Sequence, residues 1–363
     1  MRKKGMINAM DSVGIIVPVY NVKERYLREC IDSLVNQTYE NIKIYMIDDK
    51  SKEWCGRLCD KIGRSDERIT VIHHKVNKGL PEARNTGVKA CDCQWVAYVD
   101  GDDWVDRGMC EKFFQYLKKL DDAPDIFMFR GYRSYPDHEE ACVTDGKILS
   151  LNTKDDIFRF QKEALTTFLK GNMDNTIPVE SACGKFFNRD FLMRNGIVFR
   201  DLQFREDAMY FQEAAEFATH IICAPDLAYH YRMRANSMVN VYRKNAPKEL
   251  ESYLEMLWAF AEKRGKGAEY ERALYGAAFF AMQTVITNYF YHPKCPLKYR
   301  ERKNECEKYF QKKYFSGVCD AFPLNEIKRN HRIKMMLLKK GKYFWVRALR
   351  DIYLSVHRQT CYD

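Results

Sequence analysis

The apolar residues of the first 130 positions fall into short blocks that switch between two periods. Val13 to Val19 is a continuous, mostly β-branched run, as in a parallel strand covered on both faces. It stops at Pro18-Val19-Tyr20-Asn21, which opens a loop. Leu27, Cys30, Ile31, Leu34 and Val35 then share one helical face. The same alternation repeats: a strand over Ile42 to Ile47, a helix marked by Trp54, Leu58 and Ile62, and a strand over Ile69 to Ile72. Pro81 suits the first turn of a helix that runs through Val88. Trp95 to Val99 predicts the next strand, Met109 to Leu117 a helix, and Asp125 to Phe129 another strand. Strands and helices that alternate at such intervals imply a mostly parallel sheet with helices on both faces.

Beyond Tyr132 the pattern loosens. Ile157, Phe160, Ala164, Leu165, Phe168 and Leu169 define a long amphipathic helix, and Cys183 to Phe187 reads as a turn and short strand. Arg205-Glu206-Asp207 opens a helix, and two separate strands are expected at Ile221–Cys223 and Leu227–Arg232. From about residue 246 the pattern is helical throughout. The longest apolar stretch, Leu274 to Phe290, contains Gln283, Thr284, Thr287 and Asn288, and so reads as a buried helix and not a membrane span.

Ligands of parallel sheets collect at the carboxyl ends of the strands. Here those ends are Tyr20-Asn21, Asp48-Asp49 and the sequence Tyr98-Val99-Asp100-Gly101-Asp102-Asp103-Trp104. Gly101 lets the backbone turn among three carboxylates. Two readings stay open for them. They can supply hard oxygen ligands where a divalent cation meets a phosphate, or form an acidic turn after a buried strand, with an Asp capping the next helix.

The chain has 363 residues, long for a single core and suited to two units. Its 46% apolar and 30% charged content describes a folded protein. The net charge of +10 is unevenly spread. Residues 241–363 carry 25 Lys and Arg against 13 Asp and Glu, which leaves the first 240 slightly acidic. Such asymmetry points to a polyanionic surface as partner. No apolar stretch follows the basic Met1-Arg2-Lys3-Lys4, so the 13 scattered cysteines are expected to be reduced, in a cytoplasmic protein. The pairs Cys55/Cys59 and Cys91/Cys93 lack zinc-knuckle spacing.

No Gly-x-Gly-x-x-Gly follows the first strand and no Walker sequence occurs, which argues against dinucleotide and P-loop sites. The motifs that do occur resemble, in order and spacing, the inverting family 2 glycosyltransferases of the GT-A fold. They are Ile15-Ile16-Val17-Pro18-Val19-Tyr20-Asn21, Ile31 to Tyr39, Ile47-Asp48-Asp49-Lys50-Ser51, Asn77-Lys78-Gly79-Leu80-Pro81-Glu82-Ala83-Arg84-Asn85 and Asp100-Gly101-Asp102-Asp103-Trp104. Gly184 to Phe187, Glu206-Asp207, and Tyr229-His230-Tyr231-Arg232 with Ser237 resemble the bacterial capsule and exopolysaccharide branch. The likeness covers roughly residues 12–240. Lys50 departs from it, since glycine is usual after the two aspartates.

The resemblance implies an α/β, Rossmann-like GT-A fold with a mixed, mostly parallel sheet in residues 12–240. A loose tail over 1–11 precedes it, and a basic α-helical domain over 241–363 follows. It implies a UDP-sugar donor, Mn²⁺ or Mg²⁺, and a saccharide or lipid-linked acceptor. Pro18, Tyr20 and Asn21 would line the base pocket, Asp49 would accept from the base, and Asp102 would touch the ribose. Lys78 would belong to the donor site and Arg84 would approach the phosphates. Asp103 would ligate the metal and Asp207 would be the general base. Glu206 would bind the acceptor or orient that base. Lys185, Arg232, Arg234 and Ser237 would cover the diphosphate or meet the acceptor. Simpler roles stay open for several of these: packing for Tyr20, a surface ion pair for Arg84, helix-end charge for Glu206 and Asp207, and a satisfied structural histidine for His230.

Between Lys328 and Arg358, Lys and Arg interleave with Ile333, Met335, Met336, Leu337, Leu338, Phe344, Trp345, Leu349 and Ile352. This suits a helix lying in a membrane interface, and equally a helix packed on its own protein with a solvated basic face. Nucleic acid is not expected, because no binding motif accompanies the charge. Two other functions fit the residues: a nucleotidyl- or phospho-transferase on a similar sheet, and a non-catalytic sugar-nucleotide-binding scaffold. The first gives Asp207 no evident use; the second leaves the carboxylates idle.

Overall fold

The computed structural model describes residues 11–142, 146–170, 179–234 and 241–357, with side chains to 352 in the last segment. Ser237 lies outside the described residues, as does most of the tail. The chain divides into two compact units. The first is drawn from residues 1–134, 138–158 and 175–232, and the second from 135–137, 159–174 and 233–363.

The first unit is α/β. Its strands are β1 (Val13–Val19), β2 (Ile42–Asp48), β3 (Ile69–His73), β4 (Trp95–Tyr98), β5 (Trp104–Val105), β6 (Ile126–Ser134), β7 (Glu139–Ala141), β8 (Leu149–Leu151), β9 (Lys185–Asn188) and β10 (Ile221–Arg232). Between them run α1 (Glu24–Val35), α2 (Glu53–Gly63), α3 (Leu80–Ala90), α4 (Met109–Leu117), α5 (Lys154–Lys170), α6 (Arg189–Arg194) and α7 (Glu206–Phe217). The division between units falls inside α5. The sheet order is β3-β2-β1-β4-β9-β6-β10-β5, with β7 on β6 and β8 on β10. β1 pairs in parallel with β2 and β4, and β2 with β3. β9 enters antiparallel between β4 and β6, so β6 and its parallel partner β10 run the same way as β1. The carboxyl ends of β1, β2, β4 and β10 therefore lie along one edge.

All seven residues of β1 are buried, as a strand covered on both faces requires. On one face α1, α2 and α4 pack their apolar stripes, with Phe113 stacked on Phe186 at 4.1 Å. On the other, α3 comes close enough that a Cβ at Gly87 would lie 2.4 Å from Cγ2 of Ile16.

Two local expectations are corrected. Residues 221–232 form one strand, not two, with register shifts against β6 between Cys223 and Leu227 and between Leu227 and Tyr229. The bulge absorbs Pro225, which cannot donate to the ladder. The aspartates after β4 do not cap the next helix: β5 intervenes, and the N-cap of α4 is Gly108.

The second unit is helical: the later part of α5, then α8 (Ala246–Lys263), α9 (Ala268–Val285), α10 (Tyr299–Phe310), α11 (Arg329–Lys339) and α12 (Tyr343–His357). The stretch expected as one buried helix is α9 continued by a π-helical turn, Ile286–Phe290, and it is buried along most of its length. Its polar residues are satisfied internally: Gln283 meets His331 and Thr287 bonds Asn288. Among the described residues no helix is long and apolar enough to cross a membrane.

Candidate active site

The site is assembled at the carboxyl edge of the sheet. At the end of β2, Asp49 is buried and accepts three hydrogen bonds. Oδ1 takes the Lys78 N–H at 2.8 Å and meets His74 Nδ1 at 2.7 Å, while Oδ2 takes the Gly79 N–H at 2.8 Å. Asp49 thus fixes the loop entering α3. Gly79, with φ 86°, is the N-cap of that helix, and Pro81 sits in its first turn.

One turn along α3, Arg84 is buried and bridges two elements. Nη2 donates to Asp100 Oδ1 at the end of β4 (2.8 Å), and Nη1 to Glu206 Oε1 at the start of α7 (3.0 Å). Asp49, the acidic turn and the Glu206-Asp207 pair are therefore joined through one helix.

The acidic turn has its own clamp. Asp103 is buried: Oδ2 accepts the Tyr229 hydroxyl (2.7 Å) and Oδ1 accepts the Arg232 N–H (2.8 Å). The Tyr229 oxygen also accepts the Asp100 N–H. The Arg232 guanidinium lies between the rings of Tyr26 and Trp104, 4.4 and 4.3 Å from their centroids, and donates to the Asp102 carbonyl and to Glu29. Burial, then the neighbouring Asp102 and Asp100, holds the Asp103 carboxyl well above the usual range. Added positive charge at the turn would relieve this.

α7 begins under strain. Its N-cap, Arg205, has φ 65° and its side chain pairs with the buried Glu180. Burial, then Asp207, raises the Glu206 carboxyl to about 7, against the pull of Arg84. Asp207 is half-buried. Oδ1 accepts the Ala208 N–H (2.8 Å), and Oδ2 has no partner among the described residues. Among those residues the non-glycine positions with positive φ are Asn21, Lys50 and Arg205, at the ends of β1 and β2 and the start of α7. These three positions border the strand ends and the helix start that carry the candidate site.

The expected residues fall into two groups. Tyr20 (57% exposed) and Lys78 face solvent; Asn21, Asp102 and Asp207 are partly exposed. Pro18, Asp49, Arg84, Asp103, Lys185, Glu206 and Arg232 are buried. Lys185 sits in β9, directs Nζ at the Ser181 and Cys183 carbonyls, and is lowered to about 8 by burial. Arg234 is partly exposed, two residues past Arg232 and in the second unit. His230, stacked between Trp104 and Tyr132 and bonded to Glu139 and Asp106, is structural. Sequence reasoning gave no role to Tyr229, Glu180, Arg205 or Glu29. Only Tyr229 carried a signal, as part of a quoted motif; the others depend on contacts across 25 or more residues.

The family described as glycosyl transferase family 2 matches residues 14–195. Two relatives from Bacillus subtilis strain 168 bear the names "Putative glycosyltransferase EpsH" and "Uncharacterized glycosyltransferase EpsJ". EpsH is 27% identical over 72% of this chain and 73% of its own length, and EpsJ 29% over 65% of each. The poly(ribitol-phosphate) beta-glucosyltransferase of Bacillus spizizenii is 26% identical over 61% of this chain, which spans about a third of that protein (32%). Among solved structures, residues 1–349 of S. aureus TarS share the fold. The complex with UDP-GlcNAc aligns at TM-score 0.55 and 14% identity, covering 95% of this chain and 92% of that one. The complex with UDP aligns at 0.53 and 15%, covering 95% and 91%.

Proposed function

The chain belongs to glycosyl transferase family 2, and from that premise we propose that it moves a sugar from a UDP-sugar to a saccharide or lipid-linked acceptor, with inversion, in assembling a cell-surface polysaccharide. The observation that carries this reading is the Arg84 bridge, which puts the acidic turn and the Glu206-Asp207 pair at one edge of the sheet. The TarS complexes, which share the fold, support a uridine donor. The teichoic-acid-type name of the B. spizizenii relative supports a surface polymer as product. The proposed division of labour gives residues 12–240 the donor and the chemistry, and 241–363 contact with acceptor or membrane.

Burial and the like charges of Asp102 and Asp100 around Asp103 favour a cation such as Mg²⁺ or Mn²⁺ at the turn. Among the described residues no three metal-binding side chains converge, so there is no ready cage. Mg²⁺ needs none when one or two carboxylates hold it and substrate phosphates complete the shell. Asp103 is the candidate ligand, and Asp102 stands beside it toward the ribose. When bound, the cation would neutralise charge on the leaving diphosphate.

The rest of the reaction falls to the chain. The Tyr20 ring offers a stacking face for the base, beside Pro18, Asn21 and Lys78, and Asp49 Oδ2 keeps a lone pair beyond its Gly79 bond for a base N–H. Asp207 Oδ2 takes the proton of the acceptor hydroxyl as that oxygen attacks the anomeric carbon. The bond from that carbon to the diphosphate breaks on the opposite face, and the electron pair leaves with UDP. One base suffices, because no covalent glycosyl intermediate forms. Glu206, held by Arg84 next to Asp207 at the start of α7, helps bind the acceptor or orient that base.

The test is UDP release from a panel of UDP-sugars with Mn²⁺. Asp207→Asn is expected to bind UDP as the parent does and to lose turnover by about 10²–10⁴-fold. Loss of binding and turnover together would place Asp207 in the fold and not the reaction. A parent that never turned over any nucleotide sugar, even by slow hydrolysis, would be a binding scaffold.

A further inference from the structure

The second unit carries a surface that the transfer chemistry does not use. Tyr299 at the start of α10 and Phe344 and Trp345 at the start of α12 are 61%, 46% and 57% exposed. Their rings meet in series, Tyr299 to Phe344 at 6.4 Å and Phe344 to Trp345 at 5.6 Å, both edge-on. A second apolar stripe leads into this cluster along the chain. On α11 the exposed residues Ile333 and Met336 share a helical face with Arg329 and, just past its end, Lys340. The stripe runs through the Lys340–Lys342 turn to Phe344. Residues 294–352 hold 17 Lys and Arg against six Asp and Glu. Arg300, Lys340 and Lys342 flank the rings in sequence and make no ion pair with any described residue.

A cluster of exposed rings flanked by cations in excess of carboxylates is not what a solvated face needs; Glu307, beside Gly341, is paired with Lys303. Tyr and Trp rings favour the headgroup level of a bilayer, apolar body inward and polar tip outward. Adjacent Lys and Arg are attracted to anionic lipid phosphates. A protein partner would need an acidic surface with pockets for three rings; a lipid surface needs only negative charge and a soft apolar layer. We propose that this patch docks on an anionic lipid surface, with Tyr299, Phe344 and Trp345 at the headgroup level and Arg300, Lys340 and Lys342 against the phosphates. This gives the proposed membrane contact a place and a lipid class, and it stands without the transferase reading.

The test is sedimentation of the full chain with vesicles of phosphatidylglycerol and phosphatidylcholine, against pure phosphatidylcholine. The parent is expected to bind only the mixed vesicles and to release in high salt. Phe344→Ser with Trp345→Ser, and separately Lys340→Glu with Lys342→Glu, are expected to weaken binding by about tenfold or more. Both variants should keep the parent's circular dichroism and its UDP-binding thermal shift, which separates a failed patch from a failed active site. The proposal is overturned if the parent does not sediment with mixed vesicles, if it binds pure phosphatidylcholine equally, or if both variants bind like the parent. It is also overturned if the variants lose a lipid-independent self-association, which would assign the patch to a second copy of the chain.

Discussion

Lys50 holds φ 58° where the chain leaves β2, at the position where resemblance to the family leads one to expect glycine. The turn forms regardless, because side chains on both sides tie it down. Ser51 N–H donates to Asp48 Oδ1 at 2.9 Å, and Asn21 accepts the Lys52 N–H at 2.8 Å. An L-residue in the left-handed region costs about 1–2 kcal/mol, whereas glycine costs about 0.5–1 kcal/mol in unfolded-chain entropy. The Lys50 side chain is exposed, so little packing is lost. Lys50→Gly should therefore stabilise the protein by about 0.5–1 kcal/mol, read from urea midpoints; a loss would show that the lysine makes a contact of its own. Glu206 gives a second prediction. Its carboxyl is raised to about 7 by burial and Asp207, so the folded state binds a proton that the unfolded state has released above its ordinary carboxyl range. The stability Glu206 contributes is complete at low pH and is lost as pH rises toward 7. Glu206→Gln should flatten the fall in unfolding free energy between about pH 4.5 and 7. An unchanged slope would mean that Arg84 keeps Glu206 ionised throughout.

At the scale of elements, the early strands and helices were legible because each is short, local and periodic; α4 matches its expected bounds, and β1 does too. What the periodicity could not show is which elements meet. β9 runs antiparallel in the middle of the sheet, and β10 returns beside β6 about 90 residues later, so Tyr229 and Arg232 reach the acidic turn only through long-range register. That is why Arg84, Lys185 and Arg232, named from motifs as residues for phosphate or acceptor, are found buried among carboxylates, carbonyls and rings. A cation in a motif reads the same in sequence whether it faces a ligand or the interior. The contact of α3 with β1 tests the element packing directly. Gly87→Ala puts a methyl 2.4 Å from Ile16 Cγ2 in a covered strand that cannot shift freely. We expect a loss of about 1–3 kcal/mol, with part recovered in Gly87→Ala/Ile16→Ala. Additive losses in the double variant would show that the two residues are not in contact.

For the whole molecule, the division into two compact units means that a donor bound at the strand ends stabilises the first unit by mass action. At about 100 times its dissociation constant, UDP with Mn²⁺ should add about 2.7 kcal/mol. That raises the melting temperature of a unit this size by several degrees, about 2–4 °C per kcal/mol. UDP with a chelator should give a smaller shift, and the difference between the two measures what the metal adds. The choice of variant then decides the role of Asp103. Alanine would remove the acceptors that hold Tyr229 and the Arg232 N–H, loosening the turn as well as any cation site. Asparagine keeps one carbonyl oxygen for the Arg232 N–H and nearly the same volume while removing the charge. Asp103→Asn should therefore leave the chelated UDP shift intact and erase the increment due to Mn²⁺. If the increment survives in Asp103→Asn, the cation is held elsewhere and the buried aspartate serves only to lock β10 to the turn.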